Sequence, residues 1–554
     1  MRKDIRSSKS EGRKKSGDRN PKAETNLRWG LVVCFLVAFC GKALAADAAK
    51  RYVVLVVWDG MRPDFATAEY APNLYALARS GVSFSNHHSV YPSATEVNGT
   101  AISTGAYPAR SGLISNHEYR PGIDPLKETG TEVVKAVRKG DEIANGHYLA
   151  VPTIAEIVRG TGRKTAIAGA KGVALLPDRA PRTNMAYGAT VFAGSTLPAS
   201  LEETLTNRLG QFPAEGKTGA EGRTRNDWTT EALLEFLWKD SMPDFSMLWL
   251  NEPDSSQHAT GPGSPRSLAA IRNADYNLGR VLKTLDRRGI RDSTDVIVVS
   301  DHGCSTISEM ADLAKDLNTA GFKATREFKQ APQPGQVMVV NNSGSSLLYI
   351  IGKDLRVVTK LVEFLKGWSH SGVIFTREGL PGTFKLAQAH LDSASAPDVL
   401  ISMRWTADKN TNGVPGMLVS EHSGGGVGHG THVSLSPFDM HNTLVAAGPD
   451  FQTGLVINMP SGNVDIAPTV LHLLGITAPS AMDGRVLREG LKGAGKAEAK
   501  AWSRRLEAKA ELENAKGVWR QYLRVSTVGD VEYCDEGNGE QIPNSKLQAP
   551  AKSQ

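Results

Sequence analysis

The chain has 554 residues, 40% of them hydrophobic and 22% charged, which suits one large globular domain carrying insertions, or two to three smaller ones. Its formal charge of +6 sits at the front, where residues 1–45 hold 11 Lys and Arg against 4 Asp and Glu, leaving 53 against 54 for the rest. A body this close to neutral excludes an overall basic field of the kind that binds nucleic acid or an acidic membrane.

The first element in chain order is an export leader. Basic Met1–Arg28 precedes apolar Trp29–Phe39, and Ala43-Leu44-Ala45 comes before Ala46. That pattern predicts a signal peptide over residues 1–45, cleavage after Ala45 and a secreted or periplasmic protein. The apolar run is shorter than the ~20 residues of a membrane span, so cleavage is expected over an uncleaved anchor and no span over the mature chain. Phe39 is a poor fit before a lipidated Cys40. Cys34 and Cys40 leave with the leader, and Cys304 and Cys534 are expected as two unpaired thiols.

Tyr52–Trp58 (YVVLVVW) is a continuous β-branched run, the mark of a strand buried on both faces of a parallel sheet. Similar runs recur at Thr165–Ala168, Phe245–Leu250, Asp295–Ser300 and Thr443–Ala446. Helices are predicted between them at Pro72–Arg79, Thr153–Arg159, Leu268–Arg288 and Val464–Leu474, each closed by a nearby glycine. The alternation specifies an α/β fold with a mainly parallel central sheet flanked by helices. Residues 46–310 and 421–490 read as two parts of one catalytic core, with 311–420 as a small α+β cap-like insertion. Within it, Leu355–Leu365 is helical and Ser346–Ile351, Gly372–Thr376 and Asp398–Met403 are strand candidates. Residues 491–554 are expected to form a charged, Ala-rich helix near Lys496–Lys516, strands at Trp519–Val525 and Val531–Cys534, and a mobile tail from Asn538.

In open α/β sheets ligands collect beyond the carboxyl ends of the strands, and chemistry-bearing residues stand there. Asp59 follows the first strand directly, although a loop-capping aspartate reads the same way. Asp254 and His258 are four apart after Phe245–Leu250, a spacing that puts both on one face of a helical turn. Asp301 and His302 close DVIVVS as SDHG, an ionisable pair costly to bury without a cation. Thr95 precedes a helix predicted to end at Gly105, where the helix N-terminus favours an anionic oxygen. Taken alone, an ordinary N-cap is the commoner role for such a threonine. His432 lies in the later segment VGHGTHVSLSPFDM, where His422, His429 and His441 are nearby competitors and spacing alone does not choose among them. Carboxylates and imidazoles in this order point to a two-metal centre beside a hydroxyl nucleophile. Lys171 and Arg62 also follow strands, and a solvated loop cation is the simpler reading for each.

Taken together, these segments resemble the type I phosphodiesterase/nucleotide pyrophosphatase family within the alkaline phosphatase superfamily. The resemblance runs from about Val53 to Leu487, interrupted by the insertion, and is carried by DGMRPD at 59–64, APNLYALARSGV at 71–82, YPSATEVN at 91–98 and STGAYPARSGLISN at 103–116. NEPDSSQH, VVSDHG, THVSLSPFDM, GNVDIAPTVLHLLGI and MDGRVL continue it. It implies an alkaline-phosphatase-like fold and an enzyme that cleaves phosphodiester or pyrophosphate bonds in small-molecule, nucleotide-like substrates. It implies Thr95 as nucleophile, Asn116 as a phosphate-oxygen ligand, and two zinc ions, with manganese as the alternative metal. One ion would take Asp254, His258 and His432, chosen over His429 by the alignment; the other would take Asp59, Asp301, His302 and the Thr95 oxygen. The sequence departs from the family at Gly99 after Asn98 and at Val433 after His432, which puts nucleotide preference in question. A phosphonate hydrolase or a phosphoryl or phospho-alcohol transferase on the same metal core are the alternatives. A sulfatase-like enzyme is disfavoured, because no Cys or Ser leads into Pro and Arg at the nucleophile. The sequence specifies no oligomeric state.

Overall fold

The run Tyr52–Trp58 forms a strand at the centre of a nine-stranded sheet. From one edge the order is Leu455–Ile457, Val82–Phe84, Leu444–Ala447, Thr294–Val299, Tyr52–Trp58, Phe245–Leu250, Thr165–Gly169, Gly188–Phe192 and Ser195–Leu197. The computed structural model describes residues 50–422, 425–494, 503–514 and 517–547. The predicted leader lies outside them, and no helix among the described residues is long and apolar enough to cross a membrane.

Five central strands, from Thr294–Val299 through Gly188–Phe192, pair in parallel. Successive side chains of a strand point to opposite faces. Val53, Leu55 and Val57 therefore join one buried cluster, and Val54, Val56 and Trp58 another. Leu444–Ala447 runs antiparallel to both of its neighbours, so the chain enters this strand at the edge where the central strands leave the sheet. The predicted helices form within a few residues of their expected bounds, at Pro72–Ser80, Ile154–Gly160, Pro265–Arg287 and Ile466–Leu473. Thr153 and Glu156 close a capping box that sets the start of the second.

Asp295, second in the Thr294–Val299 strand, is fully buried, its Oδ1 accepting the Asp450 amide at 3.2 Å and its Oδ2 without a hydrogen bond. Burial pushes its carboxyl up to about 8 from an ordinary 3.8. The folded chain thus keeps a proton that the unfolded chain has already released, and this part of the stability is lost as pH rises from about 4 to 8. The fall in melting temperature between pH 5 and pH 8 is expected to be smaller in Asp295→Asn than in the wild type. An unchanged slope would show that the group does not titrate this way.

Residues 311–420 build a six-stranded sheet that carries the helix Leu355–Lys366 on its own apolar cluster, including Leu313, Val339, Leu348 and Leu361. The flanking strands Ser305–Ala311 and Pro415–Glu421 pair in parallel, which zips the base of this sheet. The turn between Gln336–Asn342 and Ser345–Ile350 reaches back to the core. The Gly344 amide donates to the His432 carbonyl at 3.0 Å, and Asn342 exchanges two hydrogen bonds with the His117 backbone.

The C-terminal region corrects two expectations. Residues 503–514, the described part of the predicted Lys496–Lys516 helix, form a strand in a three-stranded antiparallel sheet with Gly517–Val528 and Val531–Pro543. Helix-favouring composition concealed a period of two: Leu506, Ala508, Ala510 and Leu512 alternate with Glu507, Lys509, Glu511 and Glu513. Glu507 and Glu511 meet Arg524 and Arg520 across the sheet. The tail from Asn538 continues as strand to Pro543 and then helix Asn544–Leu547, because Gly537, Trp519 and Gln521 bind the core and the insertion sheet. Cys304 and Cys534 are buried and unpaired.

Candidate metal centre

The site grows from four neighbouring strand tips. Thr294–Val299, Tyr52–Trp58, Phe245–Leu250 and Thr165–Gly169 lie side by side and are followed by Asp301 and His302, Asp59, Asp254 and His258, and Lys171 respectively. Strands about 4.8 Å apart bring those side chains within reach of one another. Backbone bonds tie the tips together, from the Asp59 amide to the Leu250 carbonyl and from the Asp254 amide to the Asp59 carbonyl. Gly60 is required between them. It has φ of 72°, and a Cβ there would stand 2.9 Å from the Asp254 Cβ.

Two groups form along this edge. In the first, His302 Nε2 lies 3.1 Å from Thr95 Oγ1, 3.3 Å from Asp301 Oδ2 and 3.5 Å from Asp59 Oδ1. In the second, Asp254 Oδ1 lies 3.2 Å from His258 Nε2 and 3.8 Å from His432 Nε2. Asp254 also stands close enough to Asp59 and His302 to join the first. The His302 and His432 rings stack with centroids 3.6 Å apart. Helix Thr95–Thr104 begins at the nucleophile candidate, and no side chain caps it. The Thr95 hydroxyl is turned toward His302 instead of the helix amides, so the ordinary N-cap role does not apply. Asn116 accepts the Glu96 amide at 3.1 Å and so stands beside the first turn of that helix.

The donor set fits metal ions. Asp59 Oδ1, Asp254 Oδ1 and Asp301 Oδ2 are buried and have no hydrogen-bond partner, and each faces an imidazole nitrogen. Each of those imidazoles gives its Nδ1 to a backbone carbonyl: His258 to Gly430, His302 to Gly303 and His432 to Ser93. A carbonyl can only accept, so Nδ1 carries the proton and Nε2 is directed at the carboxylates, as in metal-binding histidines. Burial holds His302 below its ordinary range, and burial with the neighbouring His302 ring holds His432 far below. At His258 burial pulls the same way but the Asp254 charge outweighs it and raises the imidazole, so a metal ion would have to displace that proton, since neutral imidazoles are the form that ligates. Burial, then the nearby Asp301 charge, raises Asp59, and burial raises Asp301 to about 7. Burial also opposes the Asp254 charge, but His258 and Lys171 hold that carboxyl well below its usual range.

Among the histidines left open by spacing, His432 is the one in this cluster. His429 points its Nδ1 at the His258 carbonyl, and His441 lies in a separate group. Lys171 is not the solvated cation of the simpler reading. Its Nζ sits 3.0 Å from Asp59 Oδ2 and 2.7 Å from Asp254 Oδ2, linking the two groups. The available sequence signal was its place directly after a strand, the same signal that marked the acids. Trp249 was also missed; its indole donates to Asp59 Oδ2 at 2.9 Å. Arg62 is buried and binds the Cys304 and Pro415 carbonyls, which makes it a structural tie.

Residues 53–416 match the family described as type I phosphodiesterase/nucleotide pyrophosphatase. The bis(5'-adenosyl)-triphosphatase enpp4 of Mus musculus is 24% identical over 468 residues, covering 81% of this chain and 82% of that protein. Human ectonucleotide pyrophosphatase/phosphodiesterase family member 7 is 23% identical, covering 80% and 84%. Among solved structures, murine ectonucleotide pyrophosphatase/phosphodiesterase 5, as an inactive threonine-to-alanine variant in complex with AMP, superposes with a TM-score of 0.56. It is 17% identical and covers 77% of this chain and 96% of its own, so it supports the fold.

Proposed function

This chain belongs to the type I phosphodiesterase/nucleotide pyrophosphatase family, as a hydrolase of that kind, and on that premise we propose that it cleaves phosphodiester or pyrophosphate bonds through a covalent intermediate on Thr95. The observation that carries the reading is the gathering of orphaned carboxylates and Nε2-directed imidazoles beside the Thr95 hydroxyl at the edge of four adjacent strands. Asp254, His258 and His432 would hold one zinc ion, and Asp59, Asp301, His302 and Thr95 the other. Bound there, the ions supply Lewis acidity, lowering the pKa of a hydroxyl and neutralising phosphate charge.

The chain itself does the positioning. Thr95 Oγ1, at the first residue of its helix, forms a bond to phosphorus while the bond to the leaving oxygen breaks, and water later releases the product from phospho-threonine. Asn116 spends its Oδ1 on the Glu96 amide, which leaves its NH2 as the donor for a non-bridging oxygen as charge builds. Lys171, already between Asp59 and Asp254, adds a positive charge beside the reacting phosphoryl group. The sheet of residues 311–420 acts as a cap, supported by its turn at His117 and His432. Export is part of the proposal and rests on the leader pattern of residues 1–45.

A purified zinc-loaded sample is expected to hydrolyse bis(p-nitrophenyl) phosphate at least tenfold faster than p-nitrophenyl phosphate, in kcat/KM. A reversed ratio would remove the diesterase reading. Faster turnover of a phosphonate monoester or a sulfate ester would favour the corresponding hydrolase. Capture of the phosphoryl group by an added alcohol in preference to water would identify a transferase.

A further inference from the structure

A second histidine and carboxylate cluster lies just upstream of Thr95 in the chain. His88 is fully buried and stands opposite His441 in an antiparallel bridge, with ring centroids 4.5 Å apart. Asp535, on the C-terminal strand Val531–Pro543, places Oδ1 2.7 Å from His88 Nε2. One nitrogen or oxygen from each of the three residues lies within 4.8 Å of the others.

The protonation pattern of His88 is informative. Its Nδ1 donates to the Ser461 carbonyl at 2.9 Å, so Nε2 faces Asp535 either as a lone pair or as the second N–H of an imidazolium. A lone pair against a carboxylate oxygen is repulsive unless a cation lies between them, either the proton of the imidazolium or a metal ion that replaces it. At His258, His302 and His432 the Nδ1 likewise meets a carbonyl and Nε2 faces a carboxylate, but at 3.2–3.8 Å, whereas His88 and Asp535 stand in direct contact at 2.7 Å. Ser526 donates to Asp535 and orients the carboxylate as an outer partner would. The neighbouring His87 takes no part, since its two nitrogens meet Ser461 Oγ and Asn463 Oδ1. A buried His–Asp ion pair is expensive on its own, whereas two imidazoles and a carboxylate suit a first-row divalent ion. His441 is only half-buried, which gives the ion a route in.

We propose that His88, His441 and Asp535 form a divalent-metal site distinct from the sheet-edge centre, clamping the C-terminal sheet to the segments that carry Thr95 and His432. Metal content per chain, measured by plasma mass spectrometry after zinc saturation and desalting, tests it. The double variant Asp59→Asn/Asp254→Asn weakens the sheet-edge centre, and one ion per chain should remain at this cluster. Adding His441→Ala to that background should remove it. His441→Ala alone should lower the wild-type count by one, and Asp535→Asn, a near-isosteric change checked for folding by circular dichroism, should do the same. A count unchanged by both single variants would overturn the proposal and leave His88 and Asp535 as an ion pair. Because the sheet-edge residues are varied separately, failure here is distinguishable from failure of the proposed function.

Discussion

Thr95→Ala should lower turnover of a diester by roughly 10^4- to 10^6-fold, the scale seen when an enzyme loses its nucleophile, while zinc content changes little. The hydroxyl is one of several donors around His302, so Asp59, Asp301 and His302 still offer ligands in its absence. Removing only a methyl and a hydroxyl at the first residue of a helix that has no side-chain cap should also leave stability nearly intact. Turnover and metal count are read on the same sample. Activity within tenfold of wild type would show that another group attacks phosphorus. A parallel loss of metal would show that the hydroxyl serves mainly as a ligand.

Removal of metal should have the second-largest effect. Three buried carboxylates, Asp59, Asp254 and Asp301, converge on a site where, among the described residues, Lys171 is the one lysine in contact, and each retains an oxygen without a hydrogen bond. Binding that favours the folded chain is worth about 4 kcal/mol for each of the two proposed ions at a thousandfold excess over Kd. Chelation is therefore expected to lower the melting temperature by roughly 5–10 °C, to abolish hydrolysis, and to be reversed by added zinc. Undiminished hydrolysis by fully stripped protein would end the metal reading. A melting temperature that does not move would show that Lys171 and the imidazoles already compensate the acids.

The acids were legible in the sequence because burial makes them conspicuous. An ionisable residue directly after a β-branched run interrupts a pattern that otherwise excludes charge, and this marked Asp59 and the Asp301–His302 pair. The i,i+4 spacing of Asp254 and His258 proved to be a real helical turn, Asp254–Thr260. Lys171 carried the same positional signal and was set aside, since a lysine at a loop is usually solvated. Only the neighbouring order of its strand and that of Phe245–Leu250 brings its ammonium between two carboxylates.

Local chemistry thus determined what can be read locally: strands buried on both faces, helices closed by glycine, and acids at strand ends. The place of His432 beside Asp254, which spacing left open and only the family resemblance assigned, the pairing of Lys171 with Asp59 and Asp254, and the strand at residues 503–514 belong to the tertiary structure. The physical reason is common to all three. Each depends on contacts between residues remote in sequence: the antiparallel entry that returns the later loop to the sheet edge, the order of neighbouring strands, and a partner strand that selects a period of two over helical propensity.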